Sequence, residues 1–562
     1  MRRSIAVAIV TALAGLSGCT AAPPRAQPEA VHATAIEVPQ VRHPDGETPD
    51  WWFLAGAAAA HANAGGPKGA KNVIVFLGDG MSIPTIAAAR ILEGQRNGAS
   101  GEENRLHFER FPATALSRTY ETDRQTPDSA GTMSAIMTGI KTRYGVISVD
   151  QRATRGDCAS SRGTEAVTAL ELAAAAGMAT GFVTTARVTH ATPAATYGHL
   201  PERNWEADAD LPKAARESGC VDFSRQLVEF DIGGGINVAL GGGRSTFLPR
   251  GTRDPEYPEA KAERRDGRDL TAEWQRKPGA AYVWNAEQLA AVAPDTRHLL
   301  GLFEPSHMRF AHERAADPAG EPSLAEMTRA ALKLLARNDN GYFLMVEGAR
   351  IDHAHHAGNA FRALEETIEL SRAVAVADEM TSPDDTLILV TADHAHTMAF
   401  MGYPERGNPI LGKVAAGGEQ ARDAVGLPYT TLVYANGPGY VGASDRQPEG
   451  SKHYPHYPKT YEQAAHGRPD LSAIDTTAPD YMQEAIVPFS SETHGGDDVA
   501  VFARGPGSDA VRGSLEQNAL FHVIVQNVET LRAELCRLDA CDEAGVPIRR
   551  VPHERLRAAA AR

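Results

Sequence analysis

A continuous apolar segment that ends in a cluster of metal-ligating side chains is the strongest constraint on this sequence. Tyr342 to Val346 is long enough for one buried parallel strand, and Glu347 follows it directly. Asp352 and His356 come next with i, i+4 spacing, which places both side chains on one face if the chain turns helical after Gly348. We therefore expect metal ligands at the carboxyl end of this strand. Taken singly, each of these residues is also compatible with a solvated, histidine-rich loop.

Two further apolar segments end in the same way. Asn72 to Leu77 is followed by Asp79, and Thr386 to Val390 is followed by Asp393 and His394. Helical patterns separate such segments along most of the chain, which predicts an α/β fold: a doubly wound, mostly parallel sheet flanked by helices. Ligands of such sheets bind outside the carboxyl ends of the strands. Asp79 alone could cap a helix, but several acids with histidines at strand ends are difficult to explain by packing.

Candidate anion-binding residues lie between the predicted strands. Pro127 and Asp128 have the pattern of a turn into a helix, which places Ser129 in the first helical turn among free backbone N–H groups. Arg203 could clamp two phosphate oxygens, and Thr192 offers a hard oxygen ligand. Taken singly, each is more often a capping or surface residue. Carboxylates with histidines suit zinc, an all-oxygen set suits magnesium, and two close divalent ions suit phosphoryl transfer.

Composition and charge narrow the class of protein. The 562 residues carry a formal net charge of −15, with 42% hydrophobic and 23% charged residues. These values are typical of a globular protein, and the acidic balance argues against a nucleic-acid-binding platform or an anionic membrane surface, since both need basic patches. An anionic substrate would therefore have to be attracted locally, by metals and a few arginines.

The N-terminal residues have the pattern of a targeting segment. Arg2 and Arg3 precede an apolar stretch, Ile5 to Leu16, that is too short to span a bilayer. The tetrapeptide LSGC that ends it resembles a bacterial lipoprotein box, which implies a signal peptide at 1–18 and lipidation of Cys19. An ordinary secretory cleavage site is the alternative. We expect an exported protein of the periplasm or cell envelope, lipid-anchored to a membrane through Cys19.

The remaining chain divides by composition. Residues 19–66 are typical of a flexible tether with one short helix around Trp51 to Ala60, and residues 67–545 form the main folded domain. Within that domain, residues of about 400–490 lose the strand and helix alternation and are rich in Gly, Pro and Tyr, which predicts a loop-rich inserted subdomain. After it, Asp498 to Phe502 predicts another short strand and Leu515 to Leu531 a last helix, and residues 546–562 are predicted to be a frayed tail.

The cysteine count predicts disulfides. Four cysteines follow Cys19, and an even number in an exported chain allows three connectivities. Cys536 and Cys541 are five residues apart, so we pair them with each other and Cys158 with Cys220.

Six segments together resemble the motifs of alkaline phosphatases. They are FLGDGM at 76–81, PDSAGT at 127–132, HATPAATYGH at 190–199, VEGARIDHAHH at 346–356, TADHAH at 391–396 and ETHGGDDVAVFARGP at 492–506. The match runs in order over roughly residues 70–540. RNWEADADLP at 203–212, LGGGR at 240–244 and GLFEP at 301–305 are more similar to the animal-type branch than to the enterobacterial one.

The resemblance implies two Zn²⁺ and one Mg²⁺ per subunit and a role for each matched residue. Ser129 would become a phosphoserine, and Arg203, oriented by Asp128, would hold two phosphate oxygens. The implied ligands are Asp352, His356 and His494 for the first zinc, Asp79, Asp393 and His394 for the second, and Asp79, Thr192 and Glu347 for magnesium, with His190 and His353 in the outer shell of the third site.

The resemblance also implies a Ca²⁺ site in the animal-type branch and supports the Cys158 to Cys220 pair. Calcium would map to Glu256, Glu304, Glu321 and the carbonyl of Phe303, although the spacing before Glu321 departs from the family pattern. Thr192 stands where animal-type members carry serine. His190 and His353 would also suit zinc or cobalt, which leaves the third metal open.

The function implied by the resemblance is hydrolysis of small phosphate monoesters with broad specificity, through a phosphoserine, in a homodimer. A phosphodiesterase or sulfatase of the same superfamily is the nearer alternative, but the sequence has no Cys-x-Pro-x-Arg sulfatase signature. A non-catalytic phosphate-binding or metal-storing lipoprotein is the alternative from another class, and the retention of Ser129 argues against it.

Overall fold

A computed structural model describes residues 38–41, 43–64 and 66–561, so the predicted signal peptide at 1–18 and Cys19 lie outside the described residues. The α-helices are α1 (Pro49–Ala64), α2 (Ile83–Arg96), α3 (Ser129–Thr138), α4 (Ala169–Ala175), α5 (Ala191–Tyr197), α6 (Lys213–Glu217), α7 (Phe223–Glu229), α8 (Leu270–Trp274), α9 (Ala286–Ala290), α10 (Leu324–Leu335), α11 (Arg350–His356), α12 (Ala360–Met380), α13 (Ala519–Asn527), α14 (Glu529–Arg537) and α15 (His553–Ala560). The strands are β1 (Asn72–Gly78), β2 (Ala113–Arg118), β3 (Ala179–Arg187), β4 (Val238–Gly242), β5 (Ala280–Val283), β6 (His298–Leu302), β7 (Tyr342–Gly348), β8 (Thr386–Ala392), β9 (Ala395–His396), β10 (Met398–Phe400), β11 (Ala415–Ala416), β12 (Glu419–Gln420), β13 (Leu432–Gly437), β14 (Ala485–Pro488), β15 (His494–Gly495), β16 (Val499–Arg504) and β17 (Arg512–Glu516).

Ten of these strands form the central sheet, in the order β17-β2-β16-β8-β1-β7-β3-β4-β6-β5. Its strand pairings are parallel except for those of β16, which runs antiparallel to both β8 and β2. The predicted α/β fold with a mostly parallel sheet flanked by helices is therefore confirmed. The strand predicted at Asp498 to Phe502 is present as β16, one residue later, and it is the antiparallel member of the sheet.

Apolar side chains cover both faces of the sheet. In β1, Val73, Val75 and Leu77 join one hydrophobic cluster, whereas Ile74 and Phe76 join the other. Successive side chains of a strand point to opposite faces, so the two clusters lie on the two sides of β1. This double burial explains why the strand has a continuous apolar sequence rather than an alternating one.

Two terminal segments pack on the core, contrary to the sequence-based expectation. Trp52 and Phe53 of α1 are buried in the core, and α1 contacts α13, so residues 49–64 are not a flexible tether. The aromatic pair supplies apolar surface that the Ala, Pro and Gly content of this region obscures. Leu556 of α15 is also fully buried, so the tail that was predicted to be frayed contains a helix that packs on the core.

The prediction of a single helix from Leu515 to Leu531 is also wrong, since this segment contains the end of a strand, one complete helix and the start of a second. Leu515 lies in β17, and the helical part is divided into α13 and α14 because Val528 is extended, with φ −89° and ψ 114°. The break lets the chain pair with Ala70: its N–H donates to Asn527 O at 2.9 Å, and its carbonyl accepts from Glu529 N at 3.0 Å.

The segment of residues 400–490 contains a two-stranded hairpin of β11 and β12. It also supplies β13 and β14 to a three-stranded sheet with β10, and most of the rest is loop. Both predicted disulfides, Cys158–Cys220 and Cys536–Cys541, are present. Each described helix is too short or too polar to cross a bilayer.

Trp52→Ala is expected to lower the free energy of unfolding by about 3–5 kcal/mol, because it removes a large, fully buried side chain from the core. Trp51→Ala is the matched control: Trp51 is only partly buried, so its loss should cost much less. Denaturant unfolding of the two variants measures the difference. Equal stability of Trp52→Ala and the wild type would mean that α1 does not contribute to the core.

Candidate active site

Neighbouring parallel strands deliver three acids to one edge of the sheet. β1 lies between β7 and β8, and Leu77 pairs with Glu347 on one side and with Thr391 on the other. Asp79 follows the last residue of β1, and Asp393 follows the last residue of β8. The Asp79, Glu347 and Asp393 side chains therefore meet at the carboxyl ends of adjacent strands, where all three are fully buried.

A first set of candidate metal ligands, group 1, contains Asp352, His356, His396 and His494. Asp352 Oδ1 lies 3.3 Å from Nε2 of His356, 3.3 Å from Nε2 of His494 and 2.7 Å from Nε2 of His396. α11 begins at Arg350, which gives the expected helical spacing of Asp352 and His356. His494 belongs to β15, whose antiparallel pairing with β9 sets it opposite His396.

Backbone carbonyls fix the orientation of two of these imidazoles. Nδ1 of His356 lies 2.5 Å from the carbonyl oxygen of Glu492, and Nδ1 of His494 lies 2.8 Å from that of Pro127. A carbonyl only accepts, so Nδ1 carries the proton in each ring and Nε2 presents a lone pair toward Asp352. Metal-ligating histidines usually make this second hydrogen bond.

A second set, group 2, contains Asp79, Asp393 and His394. Nε2 of His394 lies 3.4 Å from Asp79 Oδ1 and 3.3 Å from Asp393 Oδ2. The backbone N–H of Gly80 donates to Asp393 Oδ1 at 3.0 Å and so orients the carboxylate. The imidazoles of His394 and His494 stack with centroids 3.6 Å apart, which places groups 1 and 2 side by side.

Ser129 is the first residue of α3 and points into group 2. Its Oγ lies 3.1 Å from Nε2 of His394 and 3.5 Å from Asp79 Oδ1. The helix is capped by Asp128, whose Oδ1 accepts from the backbone N–H of Gly131 at 3.1 Å. Since Asp128 performs the capping, the Ser129 hydroxyl is available for another role.

A third set, group 3, contains Asp79, Glu347 and His190. Asp79 is thus shared between groups 2 and 3. Thr184 Oγ1 donates to Glu347 Oε2 at 2.5 Å, and the fully buried hydroxyl of Thr192 lies against the same carboxylate. The structure therefore places His190 among the ligand atoms, closer than the outer position expected for it.

His353 lies farther from the ligands, as expected. Its imidazole centroid is 5.5 Å from that of His190 and 4.2 Å from that of His307. Its Nδ1 lies 2.9 Å from Nη1 of Arg350. His353 and His307 thus border group 3 without contributing to its ligand atoms.

Arg203 lies beside the serine and is held by an acid. Its Nη1 donates to Asp128 Oδ2 at 3.0 Å, and its Nη2 lies 3.3 Å from Nε2 of His190. Asp128 Oδ1 also accepts from the backbone N–H of Gly145 at 3.1 Å, so the carboxylate that orients the guanidinium is itself fixed. The Arg203 charge helps to hold the pKa of Asp128 below its usual value, against the opposing effect of burial.

Burial dominates the electrostatics of groups 2 and 3. It raises the pKa of Asp79 well above its usual value, with a further increase from the charge of Asp393, and it raises the pKa of Glu347 to about 7. Burial also lowers the pKa of His394 and His190 well below the usual value, so both imidazoles are neutral near pH 7. Metal binding needs neutral imidazoles and ionised carboxylates, so the imidazoles are already in the required state and a cation would displace the protons that burial favours on Asp79 and Glu347.

The buried oxygens of these groups fit divalent cations. Asp79 Oδ2, Glu347 Oε1 and Asp393 Oδ2 have no hydrogen-bond partner among the described residues, and burying such atoms unpaired is costly. The carboxylate and imidazole donors of groups 1 and 2 suit zinc. The oxygens of group 3 suit magnesium, and its His190 would also accept a softer metal.

Comparison with known proteins agrees with this geometry. The family model described as "Alkaline phosphatase" matches residues 70–530. The chain belongs to the alkaline phosphatase family.

Relatives of animal origin confirm the animal-type resemblance seen in the motifs. The chain is 44% identical over 465 residues to the tissue-nonspecific isozyme of alkaline phosphatase from Gallus gallus, covering 81% of this chain and 84% of that protein. It is 43% identical over 462 residues to an alkaline phosphatase from Gadus morhua, covering 81% and 91%. The crystal structure of Thermus thermophilus alkaline phosphatase superposes with a TM-score of 0.58 at 25% identity, covering 84% of this chain and 94% of that one.

His396 and Glu492 are site residues that the sequence analysis missed. Nδ1 of His396 lies 2.5 Å from Glu492 Oε2, and its Nε2 faces Asp352 Oδ1. The Glu492 carboxylate raises the pKa of His396 to about 10 despite burial, so in the absence of metal His396 is a cation that balances Asp352. Both residues lie inside segments that resemble alkaline phosphatase motifs, at 391–396 and 492–506, and this position in the sequence could have identified them as site residues.

The candidate calcium set needs a correction. The structure brings Asp317, rather than Glu321, together with Glu256 and Glu304. Glu321 instead accepts from the backbone N–H of Arg309 at 2.9 Å. The Arg309 guanidinium Nε lies 3.2 Å from both Glu304 Oε1 and Asp317 Oδ1.

Nη2 of Arg244 also lies 3.1 Å from Glu256 Oε2, but this guanidinium pairs mainly with Asp254, at 2.7 Å. Burial and the charges of Glu256 and Asp317 raise the pKa of Glu304 to about 7, so the arginines do not fully compensate these acids, and their oxygens suit calcium.

Chelated protein is expected to lose stability as pH rises from about 4.5 to 7, because the pKa of Glu347 is raised from 4.5 to about 7 on folding. The folded state then binds the proton more tightly, and that stabilisation, about 3 kcal/mol for this group, disappears above the folded pKa. Thermal unfolding of chelated and of zinc- and magnesium-loaded protein measures the effect. The gap between their melting temperatures should widen over this range, and Glu347→Gln should flatten the chelated curve. A chelated curve for the wild type that rises with pH would contradict the assignment.

Proposed function

We propose that this alkaline phosphatase family member hydrolyses phosphate monoesters to an alcohol and phosphate through a covalent phosphoserine on Ser129. The observation that carries the proposal is the position of Ser129 Oγ, which lies 3.1 Å from the group 2 ligand His394 beside an anchored arginine. A protein that only bound phosphate would not need a hydroxyl at this place.

The proposed metal content is two Zn²⁺ and one Mg²⁺ per chain. Group 1 would hold the first zinc through Asp352, His356 and His494, and group 2 the second through Asp79, Asp393 and His394. Group 3, with Thr192, would hold magnesium. When bound, these cations supply the positive charge that acidifies a hydroxyl or water and neutralises the phosphate oxygens.

The side chains of the site divide the work of phosphoryl transfer. Ser129 supplies the attacking oxygen, and the start of α3 directs backbone N–H groups toward the same region. Arg203 offers two N–H donors to non-bridging phosphate oxygens, and Asp128 holds its guanidinium in place. His396 and Glu492 position Asp352 rather than touch the substrate.

Broad specificity follows from the exposure of the site. The His356 side chain is 30% exposed and the Arg203 side chain 17%, whereas Asp79 and His394 are fully buried. The phosphate would therefore be enclosed while the ester group points toward solvent, so few contacts would discriminate among leaving groups.

Ser129→Ala is expected to lower kcat for p-nitrophenyl phosphate by roughly 10³-fold or more, because it removes the attacking oxygen. Turnover of the metal-loaded variant and of the metal-loaded wild type measures the loss, and metal analysis checks that both retain zinc and magnesium. Trapping with labelled phosphate should mark the wild type and not the variant. An undiminished rate would mean that water attacks the ester directly, and lack of turnover in metal-replete wild type would favour the binding-protein alternative.

Arg203→Ala is expected to lower kcat/KM for a monoester by about 10²-fold, since it removes two charge-assisted hydrogen bonds. A diester has one fewer free oxygen, so its kcat/KM should fall less. Comparison of p-nitrophenyl phosphate with bis-p-nitrophenyl phosphate, for the wild type and the variant, tests this selectivity. A wild type that prefers the diester by a large factor would favour the alternative, a phosphodiesterase of the same superfamily.

We further propose an exported homodimer that is lipid-anchored through Cys19. Exposed apolar side chains on and after the edge strand β14 support self-association, with Ile486 78%, Val487 46% and Phe489 46% exposed. Sedimentation velocity would refute the dimer if it showed a monomer. Recovery of a Cys19→Ser variant in the same membrane fraction as the wild type would refute the anchor.

A further inference from the structure

A separate cluster of metal-ligating side chains lies away from the active site. It contains Glu171 of α4, His199 just after α5 and His553 at the start of α15, and the three ligand atoms lie within 4.8 Å of one another. Glu171 Oε1 is 2.9 Å from Nε2 of His199 and 2.8 Å from Nε2 of His553. His190 of the active site precedes α5, so about 10 Å of helix separates the two places.

The hydrogen bond made by the other nitrogen of His199 decides its protonation. Nδ1 lies 2.8 Å from the carbonyl oxygen of Ser148, which only accepts, so Nδ1 carries the proton. In the neutral ring, Nε2 then presents a lone pair toward the carboxylate of Glu171. This contact is stable only if His199 is a buried imidazolium or if a cation lies between the two atoms.

Glu171 is also oriented for ligation. Its Oε2 accepts from the backbone N–H of Thr168 at 3.0 Å in the capping box of α4, which leaves Oε1 to face both imidazoles. The side chain is only 2% exposed, so a partner for its charge must come from within the cluster. Donors around tetrahedral zinc lie about 3.3 Å apart, so each imidazole would shift by about 0.5 Å to admit the ion.

Solvent reaches the cluster through a surface cleft of about 350 Å³. Its lining includes Glu171, His199, His553 and the Cys158–Cys220 disulfide. Two imidazoles and one carboxylate with an open fourth position are a ligand set that zinc accepts. We propose that Glu171, His199 and His553 form an additional zinc site, which clamps the C-terminal helix to the body of the protein.

The clamp joins three segments that are distant in sequence. α15 is also attached by the buried Leu556, by Ala559 and Ala560, which pack against the core, and by exposed ion pairs such as Arg557 with Asp231, which contribute little. A metal bond from His553 to α4 would fix the first residue of α15. The role is structural and independent of phosphate hydrolysis.

The test counts zinc in the full chain. Wild type, Glu171→Gln and His553→Gln are loaded with Zn²⁺ and Mg²⁺, gel-filtered and analysed by native mass spectrometry. The wild type should carry one more zinc per chain than either variant, and all should hydrolyse p-nitrophenyl phosphate at the same rate. His466→Gln is the matched control, because His466 pairs with Glu449 at 3.1 Å on the surface and should retain the full count.

Hydrogen exchange of residues 553–560 provides a second readout. Zinc-loaded wild type should protect this helix more than Glu171→Gln, whose side-chain amide can still accept the capping hydrogen bond. Equal zinc counts in the wild type and both variants would overturn the proposal. If the variants nevertheless lose protection in α15, the hydrogen bond between His553 and Glu171 holds the helix instead of a metal.

Discussion

The repulsion among buried carboxylates at the end of β1 is the constraint on which the site depends. Asp79, Glu347 and Asp393 are all fully buried, and their negative charges cannot coexist there without compensation. Burial and then the charge of Asp393 raise the pKa of Asp79, so a proton supplies this compensation in the metal-free chain. Divalent cations would supply it near neutral pH. Stability and metal occupancy are therefore linked in this protein through the same three side chains.

The parallel sheet creates this arrangement. Because β1, β7 and β8 run in the same direction, their carboxyl ends coincide, and the register sets Leu77 opposite Glu347. Loops from elsewhere then complete the site: the pairing of β15 with β9 brings in His494, and the capped start of α3 brings in Ser129. The strands supply the rigid acids, and the connections supply the nucleophile and the remaining imidazoles.

The sequence predicted what apolar strands and adjacent ligands determine locally. Strand ends at Asp79 and Glu347 could be located because a strand buried on both faces is continuously apolar. His396 could not be assigned from spacing, since its contact with Asp352 depends on the fold. Likewise, Asp317 and Glu321 are both acids near Glu304, and only tertiary packing determines which one joins it. The short helix predicted around Trp51 to Ala60 is present as α1, but its packing on the core was missed, because two buried aromatic residues outweigh a composition typical of a linker.

Group 1 and the proposed clamp share one arrangement of an imidazole and a carboxylate. In both places an imidazole donates its Nδ1 proton to a backbone carbonyl and turns Nε2 toward a carboxylate. In group 1, the cation His396 already balances Asp352, and two further imidazoles, those of His356 and His494, complete the group. Glu171 has no such built-in cation other than the imidazoles themselves. Burial opposes a proton on His199, but the charge of Glu171 and its hydrogen bond raise the pKa of His199 above its usual value, so a metal ion would have to displace that proton. A hydrogen bond from Nδ1 to a backbone carbonyl thus orients an imidazole for metal binding both in group 1 and in the proposed clamp.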